Sequence, residues 1–333
     1  MPNVVRFHKA GHAEVLQIED LPLQNPGPGE LRLKVEAIGL NRAEIMFREG
    51  MYLVNPTFPS KIGYEAAGTV DAVGPEVSGF KVGDRVSTIP AFSMSEYGVY
   101  GETAVVPARA VAHYPANLDS RQAASIWMQY LTAWGALIHY GKLRSGQFVL
   151  ITAASSSVAL AAVQIAHSVG AKPIVTTRSA AKRASLKKID GSEVIVTEEE
   201  NLAARVNEIT GGKGASLVFD PIGGPILAQL AEATARGGQI IEYGALSTSP
   251  TPYPLFAALA KGLVIRGYTL FEITAPGSAE LLASGLSFVT EKLRSGAFLP
   301  HIDKVFPIQQ IVDAHRYMES NRQIGKIVVT TEG

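Results

Sequence analysis

Residues 148–171 read FVLITAASSSVALAAVQIAHSVGA, and the fold hangs on how this stretch is understood. Its first four residues are an apolar run that ends in small residues, the mark of a buried strand. From Val158 onward apolar residues recur at helical spacing, so the segment reads strand, tight turn, helix. Such a turn presents the free N–H groups and positive dipole end of the helix to a dinucleotide pyrophosphate. It normally carries glycine, for a tight bend, close backbone approach to phosphate and close helix–strand packing. Ser155, Ser156, Ser157 and Ala159 stand in that region here. Alanine meets the packing demand, and serine caps helices and offers a hydroxyl to a phosphate oxygen. Any position that requires positive φ costs a non-glycine residue ~1 kcal/mol or more. Taken alone, the turn fits either a nucleotide site or a simple N-capped connection.

The surroundings favour the nucleotide site. Strand-like runs at QFVLIT, KPIVTT, EVIV, SLVFD, QIIEYG and LVIRGY alternate with helical segments at 156–169, 180–188, 200–209, 225–235 and 254–260. This alternation predicts an α/β unit with a six-stranded, doubly wound parallel sheet covered on both faces. About twenty residues past the turn, an NAD site places an acidic residue for the ribose 2′-hydroxyl, whereas an arginine suits a 2′-phosphate. The chain has Thr177-Arg178-Ser179 there, with Lys182 four residues beyond Arg178. The planar fork of Arg178 matches phosphate oxygens, and Ser179 can cap the next helix and reach the same group. NADP(H) is therefore expected rather than NAD(H). Ligands of such sheets lie beyond the carboxyl ends of the strands. That places Gly223, after the fourth strand, and Tyr243, Gly244 and Leu246, after the fifth, beside the nicotinamide half.

Composition narrows the function further. The formal net charge of zero gives no field for nucleic acid, and no apolar run approaches the ~20 residues of a membrane span. No cysteine is present, which removes disulfides, thiolate zinc sites and a cysteine nucleophile together. The first residues carry no secretory signal, so a cytoplasmic protein is expected. Residues 1–122 hold short alternating runs such as LRLKVEAIG and AAGTVDAVG between Gly/Pro turns, the pattern of a β-rich barrel.

The order of AIGLNRAEIMFREGMY (37–52), IGYEAAGTVDAVG (62–74), FKVGDRV (80–86), QYLTAWGAL (129–137), the serine turn, EITGGKGASLVFDPIGG (208–224) and IGKIVV (324–329) resembles the medium-chain dehydrogenase/reductase superfamily. The resemblance is to its zinc-free quinone oxidoreductase, or zeta-crystallin-like, branch, and it spans nearly the whole chain. It implies a GroES-like β-barrel at 1–122 completed by 269–333, a Rossmann NADP-binding domain at 123–268, and an active site in the cleft between them. Zinc-dependent relatives carry His-Glu where Tyr64-Glu65 stands here, so catalytic zinc is not expected. The resemblance also implies that Asn41 and Thr132 lie near the reactive end of the cofactor and that Asn321 and Arg322 reach back towards it. It implies a homodimer through the edge strand LVIRGY. Two departures stand out: the glycine-poor turn, and Thr197 where relatives often place a tyrosine beside the adenine.

The expected chemistry is hydride transfer to a quinone or to the β-carbon of an enone, with polar groups stabilising the oxygen that gains charge. Tyr52, Tyr64 and Asn41 are the candidate donors, Tyr64 being equally well read as filling space left by the metal. Glu65 reads as an ionic or hydrogen-bonding support. Tyr97, Tyr100, Trp127 and Tyr130 fit either the substrate pocket or the core. An enoyl-thioester reductase and a non-catalytic NADPH-binding protein are the alternatives, the serine turn favouring the second.

Overall fold

A computed structural model of the chain describes residues 1–331. They divide into two compact units: Met1–Met128 with Thr274–Ala279 and the tail from Thr290, and Gln129–Ile273 with Glu280–Val289.

The first unit is built on β1 (Asn3–Phe7), β2 (Gln17–Asp20), β3 (Glu30–Gly39), β4 (Ser60–Lys61), β5 (Glu65–Val73), β6 (Arg85–Thr88), β7 (Thr103–Pro107) and β8 (Val111–His113). β3 shows why: Leu31, Leu33, Val35 and Ala37 are all but inaccessible, the inward residues of a period-two strand. Antiparallel pairing of β3 with both β5 and β7 forms the centre of the main sheet. A helix at Arg42–Arg48 follows β3 directly. Trp127 and Met128 belong here because the indole N–H donates to Ser87 and the Met128 N–H to Glu65.

The second unit holds β9 (Phe148–Ile151), β10 (Lys172–Thr177), β11 (Glu193–Val196), β12 (Ala215–Asp220), β13 (Thr234–Glu242) and β14 (Val264–Gly267). Every pairing is parallel and the order is β11-β10-β9-β12-β13-β14. This is the doubly wound order 3-2-1-4-5-6, whose direction reverses beside β9 and opens a crevice at the strand ends. Helices Ser157–Ser168, Arg183–Asp190, Leu202–Thr210, Ile226–Ala233 and Leu255–Lys261 fill the connections. Their ends follow local chemistry: Asn201 accepts from the Ala204 N–H at one start, and Gly191 and Gly211 end two helices in the left-handed region. The tail returns to the first unit, where β15 (Ile302–Pro307) pairs with β16 (Lys326–Thr330) and β16 pairs with β3.

Candidate active site

The serine turn is ordinary at its serines and unusual one step earlier. Ser156 has φ −76° and its hydroxyl accepts from the Ala159 N–H at 3.1 Å, capping helix Ser157–Ser168. The left-handed residue is Ala153, at φ +51°. The cost of missing glycine therefore falls on Ala153 and not on the serines. Ser155 accepts a hydrogen bond from Lys182 at 2.9 Å, tying the first turn to the second. Ser157 and Val158 open the helix half-buried, and the Ser157 hydroxyl has no partner among the described residues.

At the end of β10, Thr177 is buried and Ser179 caps the short helix Ala180–Lys182 by accepting from the Ala181 N–H. Arg178 is exposed, and among the described residues its guanidinium has no hydrogen-bond or ion-pair partner. Thr197 donates its backbone N–H to the Thr177 carbonyl. Beyond β12, Gly223 takes φ +63° and gives its N–H to Asp220. Beyond β13, the Tyr243 ring stacks on Phe219 at 3.9 Å and its hydroxyl is buried beside Ser156. Burial raises the pKa of that phenol, so it stays neutral. Gly244 passes so close to Pro221 that a Cβ would meet its carbonyl oxygen at 2.8 Å, and Leu246 stands exposed. The fold thus gathers Ser155–Val158, Thr177–Lys182, Gly223 and Tyr243–Leu246 at one edge of one sheet. Thr132 lies in the same unit on helix Trp127–Trp134, nearly buried.

The first unit gathers a different group. Asn41 precedes helix Arg42–Arg48, and its backbone N–H donates to Glu44 at 2.6 Å. Its side-chain amide donates to the Gly39 carbonyl and to Glu65 and accepts from Lys326 at 2.6 Å, so the protein already fixes its orientation. Lys326 also pairs with Glu65 at 2.5 Å, both about 1% exposed. Glu44 accepts from the Tyr100 hydroxyl at 2.6 Å and from the Tyr64 N–H at 3.1 Å. Burial nevertheless raises the Glu44 pKa against those donors.

Tyr64 is fully enclosed, its ring against Tyr52 and Phe92, while Tyr52 is half-buried. Burial raises both phenols. Gly63 before it has φ +106°, and any Cβ there would strike the Tyr100 ring at 2.2 Å. Asn321 takes φ +56° and accepts from Arg42, while Arg322 lies exposed with its guanidinium 5.5 Å from the Tyr317 ring centre. Tyr100, Trp127 and Tyr130 are core residues at 1% exposure or less. Tyr97 is partly exposed and donates to Glu30. Glu65 is the ion-paired support the sequence suggested. Glu44, Lys326 and Glu242 had not been singled out, although Lys326 lies inside a quoted signpost.

A doubly wound parallel sheet with loops and a helix start at its carboxyl edge is the architecture on which dinucleotide-binding dehydrogenases and reductases are built. Residues 27–116 match the Alcohol dehydrogenase GroES-like domain, and residues 157–284 match the family described as Zinc-binding dehydrogenase. A quinone oxidoreductase of Pseudomonas aeruginosa is 32% identical over 99% of both chains. A 2-haloacrylate reductase of Burkholderia sp is 30% identical over 97% of each. The crystal structure of Escherichia coli quinone oxidoreductase complexed with NADPH superposes with a TM-score of 0.89 at 29% identity, covering 98% of this chain and 99% of that one. The chain belongs to the quinone oxidoreductase branch of the medium-chain dehydrogenase/reductase superfamily. The zinc in one matched description does not suit its donor set. Cysteine is absent, His167 is the one histidine in the matched span, and no three His, Asp or Glu residues converge among the described residues.

Proposed function

We propose that the protein is an NADPH-dependent, zinc-independent reductase of quinones or α,β-unsaturated carbonyl compounds. The observation that carries this reading is Arg178, an exposed guanidinium without a carboxylate partner among the described residues, at the strand end where a dinucleotide's adenosine ribose lies in this sheet order. A 2′-phosphate takes the Arg178 fork, with Lys182 and Ser179 near it. The pyrophosphate takes the N–H groups that open helix Ser157–Ser168 and the Ser157 hydroxyl. Ser156 is spent on the cap and Ser155 on Lys182. Gly223, Tyr243, Gly244, Leu246 and Thr132 border the nicotinamide half, and Asn321 and Arg322 serve the cofactor from the tail. Gly223 and Gly244 are the positions where backbone must come close.

Bound NADPH supplies a hydride to a quinone or to the β-carbon of an enone. The residues then have to orient the acceptor and stabilise the oxygen that gains charge. Tyr52, half-buried and kept neutral, is the donor to that oxygen; Tyr64 holds its ring from beneath. Asn41, held by Lys326 and Glu65, shapes the floor and has no amide hydrogen to spare in this arrangement. The proton that completes the hydroquinone or saturated carbonyl comes from Tyr52 or from water. The names of the quinone oxidoreductases and the 2-haloacrylate reductase support this acceptor class. Among the described residues no helix is long and apolar enough to cross a membrane. We place the protein in the cytoplasm on the sequence reading above. The edge strand β14, with Val264 52% exposed, and the apolar Phe256 and Leu259 on the helix before it, 87% and 72% exposed, suit a homodimer.

The test is turnover of NADPH with benzoquinones, enones and enoyl thioesters. Oxidation with the first two supports the proposal, and oxidation with thioesters alone moves the substrate class. Tight binding without turnover leaves a cofactor-binding protein.

A further inference from the structure

A buried pair of carboxyl groups lies at the root of the two loops that follow β12 and β13. Asp220 ends β12, Glu242 ends β13, and the two are direct neighbours in the parallel register. Asp220 is wholly inaccessible; its carboxylate accepts from the Thr152 hydroxyl and from the Gly223 N–H. Both Glu242 carboxyl oxygens are enclosed and meet no N–H or O–H among the described residues. They face the Asp220 carboxyl. The other groups around the pair are Thr152 beyond β9, the Tyr243 phenol next along β13, and Gly267 opposite Glu242 on β14. Arg266 on β14 is committed to Glu272 at 2.7 Å and to the face of Tyr140. Two carboxylates cannot share such a place while both are ionised.

The loops above the pair are zipped together. The Tyr243 N–H donates to the Asp220 carbonyl, Leu246 to Pro221 and Ser247 to Ile222, at 2.8, 3.0 and 2.8 Å. These loops carry Gly223, Tyr243, Gly244 and Leu246, the residues assigned to the nicotinamide half.

We propose that Glu242 is a positioning residue that stays a neutral acid, donating one hydrogen bond to Asp220, and that this shared proton clamps the two cofactor loops together. The proposal rests on the NADPH reading above. Burial and, next, the Asp220 charge push Glu242 up to about 9. Below that range the clamp is closed. Loss of the proton leaves two like charges at the root of the zipped loops, which part, and the cofactor is held less well.

The experiment is an NADPH titration by cofactor fluorescence from pH 6 to 10, on the wild type and Glu242→Gln. The amide keeps a donor for Asp220 and cannot titrate. In the wild type the Kd stays level to about pH 8 and rises at least fivefold by pH 10; in Glu242→Gln it stays level throughout. A parallel rise in both proteins, or a level wild type, overturns the proposal. Should Glu242→Gln not fold, Asp220→Asn serves: with the neighbouring charge gone, the wild-type inflection moves down by at least one pH unit, and an unmoved inflection overturns the clamp. Thermal unfolding separates this from failure of the cofactor reading. A folded-state proton that the unfolded chain releases above pH 4.5 costs stability as pH rises towards 9, so the melting advantage of Glu242→Gln over wild type must widen across that interval. If no protein binds NADPH at any pH, the cofactor reading falls and the clamp loses its purpose. A constant melting gap removes the shared proton itself.

Discussion

The two units each bury a pair of carboxyl groups, and they keep them in opposite ways. In the barrel unit Glu65 meets the Lys326 ammonium, and Glu44 accepts from the Tyr100 hydroxyl, two backbone N–H groups and the Asn41 amide. In the nucleotide-binding unit Glu242 meets neither cation nor N–H among the described residues, and only a retained proton reconciles it with Asp220. Charge can be buried where geometry supplies donors. Where it does not, the group stays neutral and becomes sensitive to pH. The first arrangement gives a floor held by an ion pair and a dense set of hydrogen bonds. The second gives a joint that a change of solution can loosen.

The strongest way to break this contrast is Lys326→Met. It leaves Glu65 and the Asn41 carbonyl oxygen without their buried cation and should cost about 3–5 kcal/mol, read from urea unfolding at pH 7. A loss below about 1 kcal/mol would mean that the ammonium is not what compensates the carboxylates.

Arg178→Ala sharpens the contrast from the other unit, since this cation waits for an anion instead of a carboxylate. NADPH binding should weaken by ten- to a hundredfold, about 1.4–2.8 kcal/mol, with NADH binding little changed. Equal losses for the two nucleotides would remove the 2′-phosphate role.

His315 is a further buried titratable group and tests the sign of burial beside a cation. Burial first, and then the Arg48 guanidinium 3.0 Å from its Nδ1, pushes it down to about 3. Its contribution to stability is complete above the ordinary value of 6.5 and is lost as pH falls towards 3. The loss runs at about 1.4 kcal/mol per pH unit. His315→Gln keeps an acceptor for Arg48 and should flatten that part of the profile, measured by urea unfolding at pH 7 and 4.5. Equal slopes in the two proteins would place the acid sensitivity elsewhere.

The smallest effect belongs to the turn. Ala153→Gly relieves a left-handed residue and should stabilise the fold by about 1 kcal/mol, with a modest gain in NADPH affinity. Destabilisation would mean that the methyl group is wanted for packing.

Much of this molecule was legible in its residues, because period-two and helical patterns are local. The six strands around QFVLIT and LVIRGY, the Ser156 cap and the basic Arg178 loop all follow from neighbours in sequence. The site chemistry was less visible where it depends on register. Lys326 reaches Asn41 across 285 positions, and Glu242 faces Asp220 only because β12 and β13 pair without an offset at their ends. The strained residue was also hidden, since which member of AASSS turns left-handed is set by the path of the chain and not by composition. Tyr64 shows the same limit: its place in the motif was evident, but its enclosure under Tyr52 was not.

The claim on which the rest depends is that a 2′-phosphorylated dinucleotide binds across the carboxyl edge of the parallel sheet. Isothermal titration of the unmodified protein with NADPH and, in parallel, with NADH tests it directly. Saturable binding of NADPH at least tenfold tighter than NADH is the predicted result; equal affinities, or no heat from either, would contradict it.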